Sequence, residues 1–165
     1  MKVEEIEMSK IAVVYWSGTG NTQKMAEAVA EGVKAAGSEA DVIFSDSFSA
    51  NDVSNYDAFA FGCPAMGSEN LEEGSFDPMF ASVEGSLSGK KVGLFGSYGW
   101  GDQTWMHDWE SRVQGDGAQL VEAGITCLNE PDDAVLEACK ELGGKLAAGC
   151  TVLYLSDMVR VNGIS

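Results

Sequence analysis

Three short stretches of this chain carry side chains suited to chemistry, and each follows a run of apolar residues. In Ser17-Gly18-Thr19-Gly20-Asn21-Thr22, hydroxyls and an amide offer donors, and Gly18 and Gly20 let the backbone wrap closely around a ligand. A helix starting here adds free N–H groups and the positive end of its dipole, an arrangement that suits an anion. The loop holds no lysine or arginine. A Walker loop ends in Gly-Lys-Ser/Thr where this chain has Gly20-Asn21-Thr22, and a dinucleotide fingerprint has a third glycine where it has Gln23. A seat for a terminal phosphate monoester remains, beside the plainer reading of a polar N-capping turn.

The second stretch is Cys63-Pro64-Ala65-Met66-Gly67-Ser68-Glu69 and the third is Ser97-Tyr98-Gly99-Trp100-Gly101-Asp102. Met66 and Trp100 fall outside the periodic apolar faces, so both are available to cover a flat ligand, and tryptophan stacks well on a conjugated ring. With the phosphate loop they describe a clamp for an aromatic phosphate. Other chemistries lack their residues. Cys63, Cys127, Cys139 and Cys150 form no C-x-x-C pair and the sole histidine, His107, lies away from them in sequence, so no zinc or iron–sulfur pattern is present. Phe95-Gly96-Ser97-Tyr98-Gly99 lacks the first glycine of a hydrolase G-x-S-x-G. Gly62-Cys63 stand where a phosphorelay receiver needs an aspartate.

The elements that must position these loops alternate in period. Lys10–Trp16 contains Ile11-Ala12-Val13-Val14-Tyr15-Trp16, a continuous apolar run of the kind shown by a strand covered on both faces. Met25, Val29, Val33 and Ala36 then share one helical face, with Gly37 as a stop. Strands are expected at Ala40–Phe44, Asp57–Cys63, Lys91–Ser97 and Gln119–Leu128, a helical turn near Asn51–Asn55, and helices at 75–84 and Gln103–Val113. Pro131-Asp132-Asp133 opens a last helix with Val135, Cys139, Leu142 and Leu146 on one face. Five βα units predict a parallel sheet with helices on both faces, and in such a sheet the ligand lies beyond the carboxyl ends of the strands. Residues 10–149 form this domain, 1–9 an acidic N-terminal extension with a second start at Met8, and 150–165 an apolar tail expected to add an edge strand or pack as a tail.

In three places the chain resembles the flavodoxins, specifically the short-chain type of anaerobic bacteria: Tyr15–Thr22, Gly62–Glu69 and Gly93–Gly101, with the likeness covering about residues 10–149. The resemblance implies a doubly wound five-stranded parallel sheet of order 2-1-3-4-5 and non-covalent FMN. Flavodoxins are themselves a standing example of the switch-point rule, so placing FMN there belongs to the resemblance and not to an independent sheet argument. By the same resemblance, Ser17, Gly18, Thr19, Gly20, Asn21 and Thr22 hold the FMN phosphate, with Ser97 reaching it from the third loop. Met66 covers the inner face of the ring and Trp100 the outer, within loops that also supply Pro64, Ala65, Gly67, Ser68, Tyr98, Gly99 and Gly101. Glu69 bonds the pyrimidine edge, and Trp105, Asn129 and Glu130 are weaker candidates. The peptide joining Met66 to Gly67 is expected to turn over on one-electron reduction. Pro64 stands where some relatives carry serine, which removes one donor.

Charge sets the remaining expectations. The 165 residues include 26 Asp and Glu against 10 Lys and Arg, a net −16, which opposes nucleic-acid and anionic-membrane binding. No apolar stretch approaches the roughly 18 residues of a membrane span, and the acidic start is unlike a signal peptide. Free thiols fit a reducing cytoplasm. Around a reduced, anionic flavin, each carboxylate at about 10 Å in a water-like dielectric adds about 0.4 kcal/mol, near 20 mV for one electron. The resulting expectation is a low-potential one-electron carrier, monomeric unless the tail pairs between chains, shuttling between semiquinone and hydroquinone. Its expected partners are basic-faced redox proteins such as ferredoxin- or flavodoxin-dependent oxidoreductases. No catalytic residue and no metal are assigned. An FMN-dependent reductase and a non-redox flavin-binding module are the alternatives.

Overall fold

The run Ile11-Ala12-Val13-Val14 is buried throughout and alternates between two cores, Ile11 and Val13 joining one, Ala12 and Val14 the other. A strand with both faces covered has no polar side, which is why its sequence shows no alternation. The computed structural model describes residues 9–161, with side chains over 9–147. In chain order the elements are β1 (Lys10–Tyr15), α1 (Asn21–Ala35), β2 (Glu39–Phe44), β3 (Ala58–Gly62), α2 (Phe76–Val83), β4 (Lys91–Tyr98), α3 (Thr104–Gly115), β5 (Gln119–Leu120), β6 (Ile125–Leu128) and α4 (Asp133–Val161). Strand order is β2-β1-β3-β4-β5 with every pair parallel, and β6 also pairs with β4.

The two faces are packed differently. In β3, Phe59 and Phe61 point into the core shared with α2 and α3, where Phe61 meets Phe80 edge-on at 5.1 Å and Phe76 meets Trp109 at 5.4 Å. Ala58 and Ala60 face α1 and α4. There the helices approach backbone to backbone, because a Cβ on Gly32 would lie 1.9 Å from the Lys140 carbonyl oxygen and one on Gly143 would lie 2.1 Å from that of Val29.

Two expectations are corrected. The single strand over Gln119–Leu128 is two strands, since Gln119 and Leu120 pair with Lys91 and Val92 whereas Ile125–Leu128 pair with Phe95–Tyr98. The Val121 amide still bonds the Val92 carbonyl at 3.0 Å, and residues 122–124 then leave the ladder, where the Gly124 amide donates to Glu110 Oε2 at 2.6 Å on α3 and Met106 packs where a Gly124 side chain would sit. The tail does not add an edge strand: α4 starts at Asp133, with the Asp132 carboxylate accepting from the Val135 amide at 2.9 Å, and its backbone stays helical through Val161. No proline interrupts that stretch, so nothing forces the helix to stop. How the tail packs, and the N-terminal extension up to Met8, lie outside the described residues. Among those described, no helix is long and apolar enough to cross a membrane.

Candidate functional site

The chain leaves β1 to build β2 on one side and returns to build β3 on the other, so a crevice opens at the carboxyl ends of β1 and β3. The loop after β1 lines it. Gly20 is left-handed (φ 99°) and its amide donates to Ser17 Oγ at 3.0 Å, which curls the loop back on itself. The first ladder bond of α1 runs from the Lys24 amide to the Gly20 carbonyl at 3.0 Å, so the amides of residues 21–23 have no acceptor within the helix. Thr22 is turned inward: its hydroxyl lies 3.1 Å from Ser97 Oγ, and both residues are buried. Their pairing joins the first loop to the end of β4.

The second loop extends the ladder along β4 past the end of β3, with the Cys63 amide donating to Phe95 at 3.1 Å and that of Ala65 to Ser97 at 3.0 Å. Gly96 permits this approach, because a Cβ there would lie 2.2 Å from the Cys63 carbonyl oxygen. Met66 and Asn70 then exchange backbone bonds at 2.8 and 2.9 Å around a tight turn with Gly67 at φ 52° and Glu69 at φ 59°. Consequently the Met66 carbonyl is held by the Asn70 amide, and turning the Met66–Gly67 peptide would break that bond. The Glu69 carboxylate lies over the third loop, its Oε2 2.8 Å from the place of a Gly101 Cβ, and its Oε1 is buried without a hydrogen-bond partner.

The cleft has a volume of about 360 Å³ and is lined by Trp16, Ser17, Gly18, Thr19, Asn21, Pro64, Ala65, Met66, Ser97, Tyr98, Gly99, Trp100 and Asn129. Trp100 is 55% exposed at its lip and Met66 is half-buried. No lysine or arginine lines it; Lys24, on the first turn of α1, bonds Glu130 at 2.7 Å. That lysine holds the Glu130 carboxyl below the usual carboxylate range, while the hydrogen bond donated by the Thr104 hydroxyl lowers Asp102. Of the residues expected from sequence, Gly20, Thr22, Gly67, Ser68, Glu69 and Gly101 do not line the cleft. Glu69 instead borders a neighbouring depression with Trp105, Trp109 and Arg112. Trp105 is a core anchor whose indole N–H donates to the Cys63 carbonyl at 3.0 Å.

Sequence reasoning gave Trp16 no role and Asn129 only a minor one. Trp16 immediately follows β1, its amide bonded to the Gly62 carbonyl at 3.0 Å and its ring under Gly18. Asn129 is left-handed (φ 61°) and its amide bonds the Tyr98 carbonyl at 2.7 Å, which brings a fourth loop to the cleft. Its signal in the sequence is a polar residue directly after a strand.

Fold and cleft define a doubly wound α/β protein with an open cleft at the switch point of its sheet. A family model described as Flavodoxin matches residues 13–143. The flavodoxins of Clostridium beijerinckii and Megasphaera elsdenii are 47% and 46% identical, over 82% and 81% of this chain and 97% and 95% of their own length. The solution structure of two-electron reduced Megasphaera elsdenii flavodoxin superposes with a TM-score of 0.77 at 43% identity, covering 84% of this chain and 98% of that one. The chain belongs to the flavodoxin family, whose members are electron-transfer proteins that carry FMN.

The residues present fit that cofactor. The loop of Ser17 to Asn21 would supply hydroxyl, amide and helix-end donors for a phosphate, and Met66 and Trp100 would supply apolar and aromatic surface for a ring.

Proposed function

We propose that this protein is a low-potential one-electron carrier in which the cleft between the first three loops holds FMN and cycles it between semiquinone and hydroquinone. A cleft that offers uncharged donors to the phosphate and no cation to a reduced ring carries the reading. An anion stabilised by neither a cation nor free water is harder to form, so the potential of the second step is low. Ser17, Thr19 and Asn21 bind the phosphate, while Thr22 and Ser97 hold the loop in shape from behind. Met66 and Trp100 keep water from the ring. The carbonyl free to turn toward a protonated ring nitrogen is that of Gly67, because the Met66 carbonyl is engaged by Asn70. Basic-faced redox proteins are the partners that the −16 charge favours, in a reducing cytoplasm where the thiols stay free.

Loading the protein with FMN and titrating it with a reductant under absorbance tests the reading. The expected result is two resolved one-electron steps, with the long-wavelength band of the neutral semiquinone between them. A single two-electron step, or NADPH oxidation by the protein alone, would assign it to the reductases instead.

A further inference from the structure

We propose that Gln103 is a positioning residue that clasps the loop carrying Trp100 and so sets how that indole lies over the cleft; this rests on the reading of the cleft as an FMN site. Gln103 is one of three non-glycine residues at positive φ among those described, at φ 72°. A residue with a Cβ adopts that conformation at a cost, so something must hold it there. It stands directly before α3 in the N-cap position, yet makes no side-chain bond to the helix. Its amide goes elsewhere: Nε2 donates to Tyr98 Oη at 3.3 Å and Oε1 accepts from Thr126 Oγ1 at 2.6 Å.

Those partners bracket the loop. Tyr98 is the last residue of β4, Thr126 lies on β6, and the stretch between Tyr98 and Gln103 is Gly99-Trp100-Gly101-Asp102. Two of its four residues are glycines, so this stretch has little stiffness of its own. Trp100 is more than half exposed. The Gln103 side chain therefore ties the far end of the loop to its near end and to the neighbouring strand, with Trp100 between the tied points. Left-handed backbone is what turns the amide back toward the sheet instead of along α3.

Gln103→Gly and Thr126→Val test the clasp, the first removing the amide while relieving the backbone, the second removing only the hydroxyl. In 5-fluorotryptophan-labelled protein without FMN, the Trp100 resonance, assigned with Trp100→Phe, should shift in both variants. In the FMN-loaded protein, FMN dissociation should quicken about threefold to tenfold, the range one net hydrogen bond is worth, with no fall in apoprotein melting temperature for Gln103→Gly. With Trp100→Phe already in place, Gln103→Gly should add little. An unmoved Trp100 resonance in both variants, or an undiminished Gln103→Gly effect beside Trp100→Phe, overturns the proposal. Failure of the wild-type protein to take up FMN would overturn the FMN reading instead, and the fluorine signal would still report on the clasp.

Discussion

Cys63 shows how burial decides a residue's chemistry. It sits at the start of the second loop, next to residues that line the cleft, yet it is fully buried, with its thiol donating to the Pro64 carbonyl and accepting from the Glu72 amide at 3.3 Å. Burial raises its pKa strongly, and likewise pushes Cys127 up to about 11 and Cys139 up to about 12. The thiolate is the reactive form, so all three should be inert. Brief iodoacetamide treatment at pH 8 followed by peptide mapping should leave Cys63, Cys127 and Cys139 unmodified in native protein and modified in urea; native labelling of Cys63 would contradict its placement. Gly67 poses the opposite case, exposed, at φ 52°, with nothing near a Cβ. Only backbone strain opposes a larger residue there, and for a β-branched one it is on the order of 1–3 kcal/mol. Gly67→Val should therefore lower the semiquinone yield in the redox titration, moving each of the two steps about 60 mV toward the other, a gap narrowed by about 120 mV, per tenfold loss of semiquinone stability. An unchanged yield would show that this turn does not move.

Between elements, the contact of α1 with α4 is the most exacting, because Gly143 leaves no room for a methyl group whereas its neighbour Gly144 has nothing within 4 Å. Gly143→Ala should cost about 3 kcal/mol in urea unfolding, the upper range for overpacking, and Gly144→Ala should stabilise by about 0.5–1 kcal/mol through helix propensity. Equal effects would mean that the helices are not in backbone contact. The junction of α2 and α3 sets a pH dependence. Arg112 bonds Asp77 and Glu84 and holds Glu84 low, while burial and then its hydrogen bond with Glu84 push Asp116 up to about 6. A raised carboxyl binds its proton more tightly in the folded state, so its contribution is present below about pH 4 and is lost as pH rises through about 6. Asp116→Asn should raise the urea midpoint at pH 7 and leave it unchanged at pH 4. Strands β1, β3 and β4 were legible as apolar runs because both faces are covered. The split between β5 and β6 was not: Val121 and Ile125 look like strand residues, and it is Glu110 and Met106 on α3 that draw residues 122–124 out. Loop residues such as Ser17, Met66 and Trp100 were legible by type. Thr22 turning inward was not, since its partner Ser97 lies 75 residues away.

For the whole molecule, the charge of −16 acts on every approaching body, and its sign makes two opposed demands. FMN arrives with a phosphate dianion and must approach a negatively charged protein with no cation lining the cleft; of the nearby cations, Lys24 is engaged by Glu130. A basic partner is drawn to the same surface. Screening separates the two, because the Debye length falls from about 30 Å at 0.01 M salt to about 8 Å at 0.15 M. FMN association with the apoprotein, followed by quenching of flavin fluorescence in stopped flow, should therefore speed up as salt rises over that range. Electron transfer from the reduced protein to a basic acceptor such as cytochrome c should slow down over the same range. The two slopes must differ in sign for one field to govern both. If FMN association slowed with added salt, a local positive potential at the phosphate loop would outweigh the acidic surface, and the unpaired amides at the start of α1 would be its source.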